Sequence, residues 1–228
     1  MQSIAIVHIP ADIRPDYLTL FLDSVSEERR QKFTRFIHKE DAYRSLVGEL
    51  LIRTILSRQL DVSHKELRFD YNSYGKPMLS NYPQICFNIS HSGKWVTIAW
   101  GNHGQCLGID IEEIKQMDLQ FAANLFTPQE NWKLASYSGG RQLDYFYQLW
   151  TLKESYMKAI GKGLSIPLDS FSIVCNNIGE WFSPEAKGFH FKSFRIDSSH
   201  ILSVCSNSEA FPDHIQEITL SELYDSLL

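Results

Sequence analysis

The chain has 228 residues, of which 43% are hydrophobic and 21% are charged, and it carries a formal net charge of −5. This size and composition predict a folded protein, one domain with two lobes, and exclude a long disordered or low-complexity segment. The acidic balance argues against a nucleic-acid partner. A membrane partner is equally unexpected, because no apolar run approaches the roughly 20 residues that a spanning helix needs.

The N-terminal segment has no basic region and has the pattern of a strand, so we expect no signal peptide and a cytoplasmic protein. Four cysteines lack metal-ligand spacing and lie in apolar, strand-like surroundings. They are therefore predicted to be reduced residues of the core. These cysteines are Cys86, Cys106, Cys175 and Cys205.

In the first half, Ser24 and Glu27 have the spacing of a capping box, which predicts a short basic helix through about Phe36. Apolar residues that recur at the helical period predict a second helix over 39–59. Strand-like segments follow, with turns between them rich in glycine, asparagine and proline. These predicted strands cover 67–71, 85–89, 95–100 and 107–111.

In the second half, Thr127 to Glu130 combines a capping box with proline at the first helical position, which predicts a helix start. A longer helix is predicted over 142–160, with Gly161 as its C-terminal cap. Each half thus contains a long helix followed by short strands, the pattern of an α+β fold with two pseudo-duplicated lobes. We place these lobes at 1–105 and 106–228. The later strands are predicted at 171–174, 189–194, 201–205 and 215–220.

Two acidic motifs predict a magnesium site. Asp110 and Glu112 alternate along a strand, so both side chains project from the same face. Glu154 and Lys158 are four residues apart in a predicted helix and share a face. If strand and helix pack together, three carboxylates meet, and an all-oxygen set of this kind suits Mg²⁺. The acids alone leave open whether the reaction is hydrolysis or group transfer.

A basic window precedes these acids. Between Arg29 and Arg58 the chain has eight basic residues and three acidic ones. The window fits either a solvated pair of helices or a binding surface for a phosphate-rich small ligand. The segment from Asn88 to Gly93 has the same two interpretations, a cradle for an anion or a turn whose serines satisfy local backbone groups.

Six motifs follow the basic helix in order. They are His38-Lys39-Glu40-Asp41-Ala42, Tyr74-Gly75-Lys76-Pro77, Phe87-Asn88-Ile89-Ser90-His91-Ser92, Gly108-Ile109-Asp110-Ile111-Glu112, Trp150-x-x-Lys153-Glu154-Ser155-x-x-Lys158 and Gly161-Lys162-Gly163-Leu164-Ser165-x-Pro167-Leu168. Their order resembles that of the Sfp-type phosphopantetheinyl transferases. The resemblance covers Ser26 to about Val174 and fades toward the C-terminus.

The resemblance implies an enzyme that transfers the 4′-phosphopantetheine arm of coenzyme A to a serine of an apo peptidyl or acyl carrier domain, releasing 3′,5′-ADP. It also implies an active site between the lobes and a role in nonribosomal peptide or polyketide synthesis. By similarity, Asp110, Glu112 and Glu154 hold Mg²⁺ against the pyrophosphate. Glu154 is the candidate base, directly or through water, and Lys158 stabilises or protonates the departing phosphate.

The coenzyme A contacts are likewise implied by similarity. The matching positions are Arg29, Lys32, Arg44, Ser45, Gly75, Lys76, Pro77, Ser90, His91 and Lys158. Trp150 lies on the apolar stripe of its helix, so we assign it a structural role. The two-lobed length favours a monomer, because half-length relatives would need to oligomerise to build the same site.

Apolar residues after the metal strand have two possible roles, core packing or docking of the carrier domain. They are Met117, Leu119, Phe121, Leu125 and Phe126. Two other functions remain open at this stage. One is a different Mg²⁺-dependent phosphoesterase or nuclease, and the other is a non-catalytic module that binds coenzyme A or carrier proteins. The ordered basic set argues against a simple hydrolase, and the intact acids and Lys158 argue against a pure binder.

Overall fold

The computed structural model describes residues 2–102, 104, 106–119, 122 and 125–228. Its helices are α1 Pro15–Asp23, α2 Glu27–Phe33, α3 Lys39–Leu60, α4 Pro128–Ala135, α5 Gly139–Ile160 and α6 Leu220–Asp225. Its strands are β1 Ser3–His8, β2 Phe69–Tyr71, β3 Pro77–Leu79, β4 Ile85–Ser92, β5 Trp95–Asn102, β6 Leu107–Glu113, β7 Val174–Cys175, β8 Trp181–Phe182, β9 His190–Asp197, β10 His200–Ser206 and β11 Gln216–Ile218.

Two sheets form the centre of the molecule. The first has the strand order β11-β1-β5-β4, and the second has the order β6-β10-β9-β8-β7. Neighbouring strands are antiparallel, except that β11 runs parallel to β1. A separate hairpin joins β2 and β3. The expected α+β class with two lobes is therefore confirmed. We call the first sheet with α3 the first lobe, and the second sheet with α5 the second lobe.

Alternation along the strands explains how the layers pack. In β1, Ala5 and Val7 join the apolar cluster around α3, whereas Ile4 and Ile6 belong to a cluster shared with β6 and β10. Successive strand residues point to opposite faces, so each sheet can cover a helix on one side and the other sheet on the other side. The two sheets therefore share an apolar core, and this core fixes the relative position of the lobes.

The two long helices match their predictions closely. Both α3 and α5 have 22 residues, and α5 ends at Gly161, whose φ of +76° is the left-handed conformation of a glycine cap. The capping box of α4 is also present, because Thr127 and Glu130 each bond the backbone of the other. These signals are local, which is why the sequence is sufficient to predict them.

The capping box predicted at Ser24 is wrong. Ser24 follows α1, a helix that the sequence reasoning missed, and its hydroxyl donates to the carbonyl of Leu20. The cap of α2 is Ser26, which accepts a hydrogen bond from the amide of Arg29. The short elements β3, β8 and α6 were also missed, because strands of two or three residues and a helix of six residues are too short to show a clear hydrophobic period.

The C-terminal segment departs from the predicted lobes. β11 pairs with β1, and Leu223 of α6 packs in the cluster around α3. The chain therefore crosses back to the first lobe after β10. The boundary at 105 and 106 stays a prediction, but the final strand and helix belong structurally with the first lobe.

All four cysteines are free. Cys205 is buried as expected, and Cys86 is partly buried. Cys106 and Cys175 are exposed, so their assignment to the core is wrong. Within the described residues, no helix is both long and apolar enough to span a bilayer.

Candidate active site

Side chains of β4 join the two sheets along one edge. Asn88 Oδ1, Ser90 Oγ and Ser92 Oγ accept hydrogen bonds from three backbone amides of β6, at 2.8, 3.3 and 3.1 Å. The amides belong to Ile109, Ile111 and Glu113. Alternate side chains of one edge strand thus satisfy alternate amides of the other, which would otherwise be unpaired. We call this contact the seam.

The segment Asn88–Ser92 is thus a strand, so the interpretation as a turn whose serines satisfy local backbone groups is wrong, whereas a role in anion binding stays a prediction. It is the end of β4, and the turn follows at Gly93. The polar residues in its alternate positions do not satisfy local backbone groups. They reach across to the other lobe, which a single sequence gives no means of predicting.

The predicted acids lie on the other side of the seam. Asp110 and Glu112 alternate with apolar residues of β6 that enter the shared core. The Ser90 hydroxyl donates to Asp110 Oδ1 at 2.8 Å, and the Ser92 hydroxyl donates to Glu112 Oε2 at 2.8 Å. The face of β6 that carries these acids packs against α5, as the spacing predicted.

Helix α5 brings the other two predicted residues to the same place. Lys158 Nζ lies 2.6 Å from Asp110 Oδ1 and 3.0 Å from Ser90 Oγ. The close approach depends on Gly108, because a Cβ there would lie 2.0 Å from the carbonyl oxygen of Ser155. A residue with a side chain would push strand and helix apart. Asp110 and Lys158 therefore meet because the strand has no side chain at the crossing point.

Burial makes the negative charge of this cluster costly. It raises the pKa of Glu112 to about 6, and repulsion from Asp110 adds to the shift. The pKa of Glu154 is also raised, first by burial and then by Asp110. No described residue donates a hydrogen bond to Glu154. The three carboxylates therefore repel one another, with Lys158 as the cation nearest to them.

The donor set fits a hard divalent cation. Asp110 Oδ2 is buried and accepts no hydrogen bond from the described residues, and burial followed by repulsion from Asp110 raises the pKa of Glu112. Carboxylate oxygens of this kind suit Mg²⁺. As the side chains stand, no three histidine, cysteine or acidic residues in the described part of the chain are grouped closely enough to hold a metal. The assignment of Asp110, Glu112 and Glu154 as ligands therefore stays a prediction.

A cleft of about 790 Å³ opens beside the seam. Helices α2 and α3, the β2–β3 hairpin and β4 form its walls. The predicted coenzyme A contacts in its lining are Arg29, Lys32, Arg44, Ser45, Gly75, Pro77 and His91. The structure thus brings seven of the ten predicted residues together in one cavity, and two more, Ser90 and Lys158, lie with the acids.

Arg29 and Arg44, two of the three arginines that line the cleft, are held in place by the fold. Arg29 forms an ion pair with Glu49 and donates to the carbonyl of Ser45 at 3.3 Å. Arg44 pairs with Asp41 and donates to the carbonyl of Gly93 at 2.6 Å. Glu49 was missed by the sequence reasoning, although its spacing of four residues from Arg53, with which it also pairs, was a usable signal.

Lys32 and His91 have fewer constraints. Lys32 is exposed and makes no ion pair with any residue that the structure describes. His91 lines the cleft, and desolvation of its ring by the surrounding protein, followed by repulsion from the nearby Arg44, lowers its pKa. A neutral imidazole at neutral pH can either donate or accept a hydrogen bond, which suits a phosphate edge or an amide.

Lys76 is the tenth predicted contact, and it points away from the cleft. Its ammonium donates to the carbonyls of Leu107, Lys158 and Ala159 at 3.0, 2.6 and 3.3 Å. Because an ammonium has three hydrogens, none remains for a phosphate in this conformation. Lys76 instead ties the β2–β3 hairpin to the end of the helix that carries Lys158, and burial lowers its pKa.

Two further residues of the helix motif are structural. Lys153 is fully buried, and its ammonium lies 2.9 Å from Glu130 of α4 and 2.7 Å from the carbonyl of Leu168. Trp150 is partly buried and stacks on Phe146 with ring centroids 6.1 Å apart, as its assigned role requires. Both residues position α5 and lie outside the acidic cluster.

The apolar residues after β6 divide into core and surface. Phe126 is buried, and Leu119 and Leu125 pack partly against the core of the second lobe. Met117 is exposed, as is Trp132 on α4. Phe121 lies outside the described residues. Of the candidate docking residues, Met117 is therefore the one that the described structure leaves on the surface.

The fold and the site together indicate the class of the protein. Two helix-covered sheets meet at a seam that has an acidic cluster with a lysine on one side and a basic cleft on the other. These features suit an enzyme that acts on a phosphorylated substrate.

Comparison with known proteins identifies the family. Residues 106–206 match the 4′-phosphopantetheinyl transferase superfamily, and residues 13–103 match the family described as 4′-phosphopantetheinyl transferase, N-terminal. The chain is 41% identical over 207 residues to the 4′-phosphopantetheinyl transferase Sfp of Bacillus subtilis, covering 89% of this chain and 91% of that protein. The chain belongs to the 4′-phosphopantetheinyl transferases.

Other relatives agree. The 4′-phosphopantetheinyl transferase gsp of Aneurinibacillus migulanus is 43% identical over 173 residues, covering 76% of this chain and 71% of that protein. Among solved structures, a holo-(acyl-carrier-protein) synthase from Bacillus anthracis, in complex with coenzyme A, matches with a TM-score of 0.40 and 20% identity. That match covers 44% of this chain and 92% of the other. By its family and by the relatives that share more than 40% of its sequence, the chain is a transferase, and neither a phosphoesterase nor a non-catalytic module is supported.

Proposed function

We propose that this protein transfers the 4′-phosphopantetheine arm of coenzyme A to a serine hydroxyl of an apo peptidyl or acyl carrier domain. The observation that carries the proposal is the continuity of the basic cleft and the acidic cluster across one strand. His91 lines the cleft, while its neighbours Ser90 and Ser92 hold Asp110 and Glu112. A ligand with one phosphate in the cleft and a pyrophosphate at the acids would span this strand.

Coenzyme A has that distribution of charge, a 3′-phosphate separate from its pyrophosphate. We assign Arg29, Lys32 and Arg44 to its phosphates, since guanidinium and ammonium groups donate charge-assisted hydrogen bonds to phosphate oxygens. Gly75 and Pro77 shape the wall of the cleft nearest the second lobe. Lys76 fixes that wall by donating hydrogen bonds to carbonyls of the second lobe, so we do not assign it to the phosphates.

Asp110, Glu112 and Glu154 would hold Mg²⁺ at the pyrophosphate. When bound there, the ion neutralises charge that develops on the phosphate oxygens. The fit rests on the all-oxygen donor set and on Asp110 Oδ2, which is buried and accepts no hydrogen bond from the described residues.

The chain's own residues account for the proton and the leaving group. Glu154 accepts the proton of the carrier serine, directly or through water, and its raised pKa suits a base near neutral pH. The serine oxygen forms a bond to the phosphorus that carries the pantetheine arm, and the bond from this phosphorus to the oxygen of 3′,5′-ADP breaks. Lys158, held at Asp110, stabilises or protonates the departing phosphate.

The partners and location follow from this activity. We propose a monomer in the cytoplasm that loads carrier domains of nonribosomal peptide or polyketide synthetases, with neither nucleic acid nor membrane as a partner. Exposed Met117, which follows the strand of the acids, is the proposed contact for the carrier. The net charge of −5 agrees with a protein partner rather than a nucleic acid.

The direct test is carrier loading. Purified protein with coenzyme A, Mg²⁺ and an apo carrier domain is expected to add one phosphopantetheine mass to the carrier serine, and chelation of Mg²⁺ is expected to stop it. No mass gain across a panel of peptidyl and acyl carriers would refute the proposal.

Variants test the roles of single residues. Asp110→Ala and Glu154→Ala are expected to abolish transfer while the fold survives. Asp144→Ala is a matched control, because Asp144 is on the same helix in an exposed ion pair with Arg195. Unchanged turnover in either of the first two variants would remove the proposed metal role.

A further inference from the structure

Ser92 makes two hydrogen bonds across the seam, and they serve different groups. Its hydroxyl oxygen accepts from the amide of Glu113 at 3.1 Å, and its hydroxyl hydrogen goes to Glu112 Oε2 at 2.8 Å. A serine hydroxyl has one hydrogen and two lone pairs, so the same oxygen can accept from the amide and donate its hydrogen to the carboxylate. Ser92 therefore links the backbone of β6 to the side chain of Glu112 through one oxygen atom.

Ser90 repeats the arrangement two residues earlier. It accepts from the amide of Ile111 at 3.3 Å and donates to Asp110 Oδ1 at 2.8 Å. Each serine thus links β4 to one carboxylate and to the amide that follows it. The repeat holds two acids of one strand at a fixed distance from the neighbouring strand, which counters the repulsion between them.

Asn88 is a natural internal control for this arrangement. It accepts from the amide of Ile109 at 2.8 Å, as the serines accept from theirs, but the residue before that amide is Gly108. The residues before the other two amides are Asp110 and Glu112. A serine hydroxyl thus stands at the two positions of the seam where it can donate to an acid, and an asparagine stands where β6 has glycine.

We propose that Ser92 is a positioning residue for cation binding, and that its hydroxyl fixes the orientation in which Glu112 meets a divalent ion. The proposal rests on the proposed function, because that function places Mg²⁺ at Glu112. A hydrogen bond that orients a metal ligand reduces the freedom that the ligand loses on binding, and removing such a partner typically weakens metal affinity roughly 10- to 100-fold.

The test compares two side chains of nearly equal shape. Ser92→Thr keeps the hydroxyl, and Ser92→Val replaces it with a methyl group, while both favour a strand. Mg²⁺ binding to the free protein is measured by calorimetry, with and without coenzyme A, and thermal unfolding is followed in the absence of the ion. We expect Mg²⁺ affinity near the wild-type value for threonine and at least about 10-fold weaker for valine.

Asn88→Ala serves as the control for the seam. It is expected to lower the unfolding temperature and leave Mg²⁺ affinity near the wild-type value, because it removes the hydrogen bond to the amide of Ile109 and none of the hydrogen bonds to Asp110 or Glu112. If Ser92→Val does not fold, Ser92→Ala replaces it.

Three results would overturn the proposal. One is Mg²⁺ binding by the valine variant as tight as that of the wild type. Another is an equal loss of affinity in both Ser92 variants, which would indicate packing rather than a hydroxyl. The third is absence of Mg²⁺ binding to the wild type. Failure of the proposed function looks different, since a wild type that binds Mg²⁺ but loads no carrier would refute only that function.

Discussion

Keeping Glu112 ionised in the folded protein lowers the free energy of unfolding. Replacing it with glutamine should remove this loss. The pKa of this carboxyl rises from an ordinary value of 4.5 to about 6, because the side chain is partly buried and faces Asp110. A difference of this size corresponds to about 2 kcal/mol. Glu112→Gln is isosteric and can still accept the hydrogen bond from Ser92. We therefore expect the variant to be more stable than the wild type, by about 2 kcal/mol at pH 8 without Mg²⁺.

The effect of Glu112 on the free energy of unfolding depends on pH. An acid whose pKa is higher in the folded than in the unfolded state opposes folding wherever it is ionised in both states. The penalty of Glu112 is therefore fully present above pH 6, decreases between pH 6 and 4.5, and vanishes below. The advantage of Glu112→Gln should shrink over the same interval, and added Mg²⁺ should stabilise the wild type but not the variant.

Urea unfolding at several pH values, with Mg²⁺ absent or present, measures both effects. Glu113→Gln is the matched control, because this neighbouring acid points to the other face and pairs with Lys115 at 3.0 Å. The reasoning is refuted if Glu112→Gln is less stable than the wild type at pH 8 without Mg²⁺, or if its advantage does not change with pH.

Three further substitutions test the framework around the site, each by urea unfolding. Gly108→Ala should lose about 3 kcal/mol through overpacking, because its Cβ would lie 2.0 Å from a carbonyl oxygen of α5, whereas Gly140→Ala on the same helix meets no atom within 4 Å and should not destabilise; equal effects would contradict the packing argument. Lys153→Met should cost about 3–5 kcal/mol by leaving Glu130 buried without its partner, and adding Glu130→Gln should restore part of the loss; no recovery would show that the pair is not the cause. Lys76→Met should cost about 2 kcal/mol through three unsatisfied carbonyls and change coenzyme A affinity little; a large loss of affinity would return Lys76 to the phosphate contacts.

Local signals in the sequence were sufficient to predict the two long helices and the strand that carries the acids. The periods of α3 and α5, the cap at Gly161 and the alternation of Asp110 with apolar residues depend on near neighbours in the chain. The same holds for the shared helix face of Glu154 and Lys158. Packing a strand on a helix then follows from general rules of layered folds.

The contacts between the lobes could not be predicted from the sequence. Nothing local indicates that Ser92 turns to Glu112, since the two are brought together by the pairing of separate sheets. Lys76 illustrates the same difficulty. A lysine in a tight loop next to a basic cleft suggests a phosphate contact, yet the end of α5 offers it three carbonyls. Which acceptor a flexible side chain reaches is decided by tertiary structure.

The return of the chain to β1 also has a consequence for how the protein folds during its synthesis. Ala5 pairs with Gln216, so the first sheet acquires its last strand only after the ribosome has translated nearly the whole second lobe. Contacts of such long sequence separation form slowly. Until then β1 presents an open edge, which is a site for misassociation between nascent chains. We expect the first sheet, although its other strands are encoded first, to be completed after the strands of the second sheet have been synthesised.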